Sequence, residues 1–528
     1  MNTLRIIGVR AEEEKETFLF FLYFFFLISA IIIGKTARDV FFLSRFNSSL
    51  LPHIFIISSV CVMVTTFFFI RSSQNKNIFT FAIKSGALFV LSLLIINTFL
   101  NIWIYPILYV WMDIMGAVLV PQFWLLTNQR FTTRQAKRLF GPIGAASAFA
   151  NIFIGFLIQS GFILPDYLLP SAAFFLILCL VIISVINNFA TKEVIGQNKV
   201  DYEKLNKNVS IITSIKHHKY IGLLCLIVSI ASITNTLIEY QFKIIASNSY
   251  NENQLASLFG MLYGIVGLSS GFIQIFLIGR ILRKFGVLIG LLMLPIFLGI
   301  SSLLLTLSPI IIFALMARLS DLIFRFSFHD TTMQILWLPV SGKLKQSVKP
   351  FIEGTVKNLA QGFTGVLILG VLIFIGSQFL NFLIMGLIII WIISSILLKN
   401  GYWDELKKAV GKRELNLETL RINITDPYLV NLFNKTLISG NEGQKIFVLN
   451  EIKKLSPEPW KNELNEIFIR ESDNIRNEII LIALSDKQVL SDSIILDIVN
   501  SQDDPLRSMG IIIAAKREYK HIIPQLEN

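Results

Sequence analysis

Residues 17–40 read TFLFFLYFFFLISAIIIGKTARDV. The first eighteen of these, 17–34, carry no charge and are apolar on every side of a helical wheel. About 20 such residues in a helix span the roughly 30 Å hydrocarbon core of a bilayer. A soluble helix would keep a polar face toward water, which this one lacks. At its end come Lys35, Arg38 and Asp39, so this helix leads from lipid into a polar interior.

The rest of the chain repeats the first half of that pattern. Of its 528 residues 54% are hydrophobic and only 16% charged, with 45 Phe and a mean hydropathy of +0.66. A water-soluble fold has too little interior to hide this much apolar surface. The composition also excludes collagen, coiled coil, disorder and a disulfide scaffold. Spans are expected at 17–40, 49–70, 78–99, 103–127, 141–163, 167–190, 219–247, 255–278, 285–306, 308–327, 351–375 and 378–398, twelve in all. Their longest polar interruption, Asn187–His218, divides them six and six.

Net charge is +12, which could point to nucleic acid. Its distribution argues otherwise. Residues 1–398 hold 29 Lys and Arg against 15 Asp and Glu, a net +14, whereas residues 399–528 are at −2. The basic residues cluster in alternate loops: Arg71 and Lys76; Arg130, Arg134, Lys137 and Arg138; Lys192 to Lys207; Arg280, Arg283 and Lys284; Lys343 and Lys345. Such loops face the cytoplasm, which places both termini and the central linker there. No nucleic-acid partner is expected, and membrane lipid is the solvent of the spans. No cleavable signal is expected, since Glu12, Glu13, Glu14 and Glu16 precede the first run and no A-x-A-like site follows it.

Two six-helix halves joined by a cytoplasmic linker match the major-facilitator architecture. The fold expected is therefore an all-α membrane protein, with residues 1–190 as the first half, 191–218 as linker, 219–398 as the second half and 399–528 as a cytoplasmic helical domain. Gly279–Gly286, GRILRKFG, is a partial echo of that superfamily's basic loop. In the last domain Lys445, Arg476 and Arg507 stand 31 residues apart, each followed by an apolar segment. Asp473-Asn474 and Asp504-Pro505 mark helix entries. Stacked helix pairs resembling short bacterial HEAT repeats are expected, a module for packing or for docking a protein partner.

Enzymatic readings find little to stand on. Gly34-Lys35-Thr36 imitates the tail of a phosphate-binding loop but follows an apolar helix instead of a strand. Cys61, Cys179 and Cys225 lie in apolar runs without ligand spacing, and the five His residues are scattered. No metal, cofactor or catalytic residue is expected.

Ionisable residues inside the spans are another matter, because each is costly in lipid and so marks a candidate site. Besides the first-span triad they are Asp113, Glu239, Lys243, Arg318, Asp321, Arg325, Glu353 and Lys357. Some have local partners: Arg318 and Asp321 are at i and i+3, Glu239 and Lys243 at i and i+4. Asp113 has none within a turn, so its counter-charge comes from another helix or from a ligand. Arg38 and Asp39 are adjacent, and adjacent helical positions diverge by about 100°. A cavity with Arg38, Lys243, Arg325 and Lys357 suits an anion, and Tyr109, Trp124 and Tyr240 could stack on a base. A nucleotide has both ends; other organic phosphates also fit.

Four ordered stretches sharpen this reading: Gly34–Phe42, GKTARDVFF; Asp113–Phe140, DIMGAVLVPQFWLLTNQRFTTRQAKRLF; Asn235–Lys243, NTLIEYQFK; and Arg325–Pro339, RFSFHDTTMQILWLP. With Val348–Gly365 they resemble the ATP:ADP antiporter family of obligate intracellular bacteria and plastids. The resemblance implies exchange of nucleotides by alternating access without hydrolysis, and roles in transport for Arg38, Asp113 and Glu239. Arg38 stands where the family has lysine, Asp113 where it has glutamate, and Gln361 where many members have lysine. The fused repeats resemble those of relatives in free-living bacteria, and a bacterial inner membrane is the expected location. The alternatives are ion-coupled transport of another organic phosphate, or a membrane-anchored scaffold working through its repeats.

Overall fold

The computed structural model describes residues 13–73, 77–131, 133–190, 218–374, 376, 379–411, 427–453, 455, 457–486, 489–501 and 504–516. The expected linker, up to residue 217, lies outside the described residues.

The first half comprises α1 (Glu14–Arg45), α2 (Leu51–Ser73), α3 (Ile78–Thr98), α4 (Ile104–Arg130), α5 (Thr133–Gln159) and α6 (Leu168–Ala190). The second begins with α7 (Lys219–Ser249), α8 (Glu252–Phe272), α9 (Ile278–Leu307) and α10 (Ile311–Phe324). It continues through the short α11 (Asp330–Leu336) and α12 (Gly342–Pro350) to α13 (Lys357–Phe374) and α14 (Phe379–Gly411). Two starts are set by an asparagine before them. The Asn77 side chain accepts from Phe79 N at 3.0 Å, and Asn251 forms a reciprocal capping box with Gln254 at the start of α8. Prolines 121, 142 and 295 lie inside helices, as membrane bundles tolerate. The chain is a multi-pass membrane protein.

Ten described stretches are long and apolar enough to cross a bilayer, against twelve expected. Two places make the difference. Glu252–Leu307 qualifies as one stretch of 56 residues, which as a straight helix would measure about 84 Å, far beyond one bilayer crossing. Gly286 breaks it with φ 76°, a conformation that favours glycine, at the end of the basic GRILRKFG segment. The second is α10, whose helix loosens into a π turn at Arg325–His329 before α11; its charges and its 14-residue length keep it off the count. Two further π turns, Ile273–Leu277 and Phe351–Val356, flank α8 and α13.

The chain forms two compact units. The first takes in Met1–Ile278, Gly290–Thr331 and Gln346–Leu398. Within it α1 packs on α4, α5 and α6, and α7 on α10 and α13. The halves meet along two seams, α5 with α8 and α2 with α13. Both rely on missing side chains. A Cβ on Gly155 would lie 2.7 Å from the Gly260 carbonyl oxygen, and one on Gly365 2.6 Å from that of Pro52. The Ser59 hydroxyl donates across the second seam to the Asn358 carbonyl at 2.6 Å. Small residues let helix backbones approach closely where apolar packing alone gives no preference over lipid.

The second unit takes in Gly279–Ile289, Thr332–Lys345 and Lys399–Asn528. Its helices are α15 (Pro427–Ser439), α16 (Glu442–Ile452), α17 (Lys461–Arg470), α18 (Asp473–Ser485), α19 (Asp492–Val499) and α20 (Asp504–Lys516). Lys445, Arg476 and Arg507 each occupy the fourth position of a helix, and those helices start 31 residues apart. Lys445 Nζ bonds Glu471 at 2.6 Å, and Arg476 donates to the Phe468 and Ile469 carbonyls at the end of α17.

Alanine at Gly155 is expected to destabilise the purified protein by about 1–3 kcal/mol through overpacking of the α5–α8 seam. Alanine at Gly141, where an added Cβ meets nothing within 4 Å, should be neutral or stabilising. Thermal unfolding of the two variants checks the contrast.

Candidate functional site

The charges of α1, α4, α7 and α10 converge in the first unit. The Arg38 guanidinium, 6% exposed, pairs with Asp113 of α4 through Nη1 and with Asp39 through Nε at 3.2 Å. Its Nη2 lies 3.8 Å from Glu239 of α7. Lys243, 1% exposed, reaches Glu239 at 2.5 Å, Asp39 at 2.9 Å and the Tyr109 hydroxyl at 2.6 Å. Arg318 of α10 bonds Glu239 at 3.0 Å, the Asn235 side chain at 2.9 Å and Asp321 at 3.3 Å. Arg325 bonds Asp321 at 2.5 Å and the Ala231 carbonyl at 3.1 Å. Ser58 of α2 donates to Asp113 at 2.5 Å.

The helices make this geometry possible. α1 stays helical through Arg45, so Arg38 and Asp39 are carried into the bundle. Asp113, without a local partner, finds one on another helix. Adjacent Arg38 and Asp39 do interact, contrary to the expectation from helical spacing: the guanidinium arm is long enough to turn back on its neighbour while its far end serves Asp113. The Glu239–Lys243 and Arg318–Asp321 pairs predicted from spacing are present, yet each residue also bonds outside its own helix except Asp321, which serves Arg325 instead.

The other expected residues are placed differently. Lys357, at the start of α13, is exposed; its carbonyl accepts from the Ser232 hydroxyl at 2.9 Å, fixing α13 against α7. Tyr109 is 1% exposed with the Arg38 guanidinium 4.3 Å from its ring centroid, so it braces the cations and offers no open face. Tyr240 is also 1% exposed. Trp124 is half-buried against Phe24, Phe123 and Phe140, eleven residues or about 16 Å along α4 from Asp113. Arg318, Asp39, Asn235 and Ser58 belong to the network but not to the expected substrate set. Spacing gave a local pairing for Arg318 and nothing for Asn235 or Ser58.

A second tie between the halves lies nearer the C-terminal end of α1. Arg45 bonds Glu252 at the start of α8 at 2.9 Å, its guanidinium lying 4.7 Å from the Tyr105 ring centroid. The ion pairs Arg38–Glu239 and Lys243–Asp39 also cross from one half to the other. Chemically the arrangement is a set of anion-binding groups whose positions are held by internal carboxylates.

Residues 53–320 match the family model described as TLC ATP/ADP transporter, a span that includes Asp113, Glu239, Lys243 and Arg318. The chain is 26% identical over 301 residues to ADP,ATP carrier protein 3 of Rickettsia conorii, covering 48% of this chain and 59% of that protein. It is 23% identical over 354 residues to ADP,ATP carrier protein 3 of Rickettsia felis, covering 58% and 70%. The matched chain thus spans about three fifths of the R. conorii relative. Among solved structures, the POT family transporter PepTSo aligns with 72% of this chain and 98% of its own, with a TM-score of 0.52 and 8% identity, a likeness of fold.

Glu239 serves three cations, so Glu239→Gln is expected to cost about 3–5 kcal/mol in unfolding free energy by leaving buried charge uncompensated. Glu405→Gln, which breaks an exposed pair with Lys408, should leave the unfolding midpoint in place. Denaturant unfolding of the purified variants measures both.

Proposed function

The chain belongs to the TLC ATP/ADP transporter family, and from that premise we propose that it exchanges nucleotides across a membrane by alternating access. The observation that carries the reading is the ion-pair network shared between the halves. Arg38, Lys243 and Arg325, with Lys357 on α13, supply charge for phosphate oxygens; Asp113 and Glu239 hold the cations when no substrate is bound. Trp124, half-buried, is the aromatic surface for a base, with Tyr109 and Tyr240 covered.

The mechanism follows from pair exchange. With the site empty, carboxylates of one half bind cations of the other, and moving the halves apart would leave those charges unpaired in a low-dielectric interior. A polyphosphate offers the same cations replacement oxygens. Binding then releases the cross-half pairs and lets the carrier reorient loaded, while the empty carrier stays locked. That asymmetry produces exchange instead of net flow, and no bond in the nucleotide breaks.

Loop charges support an orientation with both termini cytoplasmic, in a bacterial inner membrane. We propose the division 1–190, 191–218, 219–398 and 399–528 as two membrane halves, linker and HEAT-like domain, the last with a protein partner. Gln361, uncharged where the family resemblance implies lysine, favours a second reading: ion-coupled transport of a different organic phosphate.

Radiolabelled ATP should enter proteoliposomes preloaded with ADP and not empty ones. Arg38→Ala should abolish that exchange while the protein still inserts. Uptake into empty vesicles driven by a pH gradient would select the second reading, and uptake retained by Arg38→Ala would remove Arg38 from the site.

A further inference from the structure

The network balances its own charge. Arg38, Lys243, Arg318 and Arg325 stand against Asp39, Asp113, Glu239 and Asp321, four cations to four carboxylates. Lys35, one turn before Arg38 on α1, is a fifth cation in the same field, within electrostatic reach of Arg38, Asp39, Asp113 and Glu239.

Lys35 stands four residues before Asp39, a spacing that allows an ion pair on a helix. Here none forms: no carboxylate oxygen among the described residues lies within 4.0 Å of its ammonium. The neighbouring carboxylates are already engaged. Asp39 is taken by Lys243 at 2.9 Å and Arg38 at 3.2 Å, and Asp113 by Arg38 and Ser58. The Lys35 chain runs beside Gly116 of α4, its Cε 3.9 Å from where a Cβ would be, so the missing side chain leaves it room. Lys84 on α3 and Lys357 are unpaired in the same sense but exposed, whereas Lys35 is half-buried. An ammonium inside a membrane bundle with no carboxylate in contact is costly unless an anion comes to it.

We propose that Lys35 is a specificity-determining residue that takes the polyphosphate of the incoming substrate directly, as the surplus charge that needs no carboxylate displaced first. Arg38 and Lys243 then follow as their own pairs are exchanged. The inference rests on the nucleotide-exchange reading for the identity of the anion but not for its charge.

Inorganic tripolyphosphate and the purified full-length protein give a test free of transport. Tripolyphosphate should raise the wild-type melting temperature. Lys35→Gln should lose that shift while its ligand-free melting temperature is unchanged or higher, and Lys35→Arg should restore it. In ADP-loaded proteoliposomes Lys35→Gln should raise KM for ATP about tenfold or more with little change in maximal rate. The proposal is overturned if tripolyphosphate fails to stabilise the wild type, if it stabilises Lys35→Gln equally, or if ligand-free Lys35→Gln and Lys35→Met are both destabilised, which would make Lys35 a structural partner. Stabilisation through Lys35 without any nucleotide exchange would sink the exchange reading and leave the anion site standing; exchange with an unchanged KM in Lys35→Gln would do the reverse.

Discussion

The cost of leaving a guanidinium unpaired in a low-dielectric interior organises this molecule. Arg38 is 6% exposed on a helix whose residues 17–34 are apolar on all sides. It persists there because Asp113 and Glu239 are brought to it from α4 and α7. Those carboxylates in turn admit Lys243 and Arg318, and Arg318 draws in Asp321 and hence Arg325. Each charge needs the next, so four helices from two halves of the chain are held to one arrangement. The energy of such a cluster is not a simple gain, since every member was first taken from water. What it supplies is specificity of position, together with a set of cations that can change partners.

The seams do different work from the centre. Along α5–α8 and α2–α13 the halves touch through glycine and backbone, with Gly155 against Gly260 and Gly365 against Pro52. Contacts of this kind are short-ranged and carry no charge. On the exchange mechanism proposed above, the preference between open and closed arrangements would reside in the ion pairs, which a charged substrate can alter, and not in the seams. Among the described residues the ion pairs that join the halves lie at the centre and at Arg45–Glu252.

Much of this was legible in the sequence, and the limits have physical causes. An unbroken apolar run is its own evidence for a membrane helix, and alternate basic loops order the runs. Spacing also exposed pairs within one helix, such as Glu239 with Lys243. It could not expose Arg38 with Asp113, 75 residues apart, beyond saying that Asp113 needed a distant partner. It misjudged Arg38 and Asp39, because spacing rules describe Cβ directions and a guanidinium reaches well past its Cβ. It took Tyr109 as a surface for a base, where the ring lies under Arg38. The π turn at Arg325–His329 left no mark in periodicity, since one extra residue in a turn is smaller than the uncertainty of a span boundary.

Helices α16, α18 and α20 start 31 residues apart, and the fourth residue of each is basic. Contacts such as Lys445 to Glu471 reach from one helix pair to the next. Length in this region is consequently quantised. A gain or loss of one whole period returns every side chain to an equivalent neighbour, whereas any other insertion inside a helix rotates its apolar stripe out of phase by about 100° per residue. Within its helices this region can therefore be lengthened or shortened without loss of register only in steps of that size, so its reach is a discrete variable.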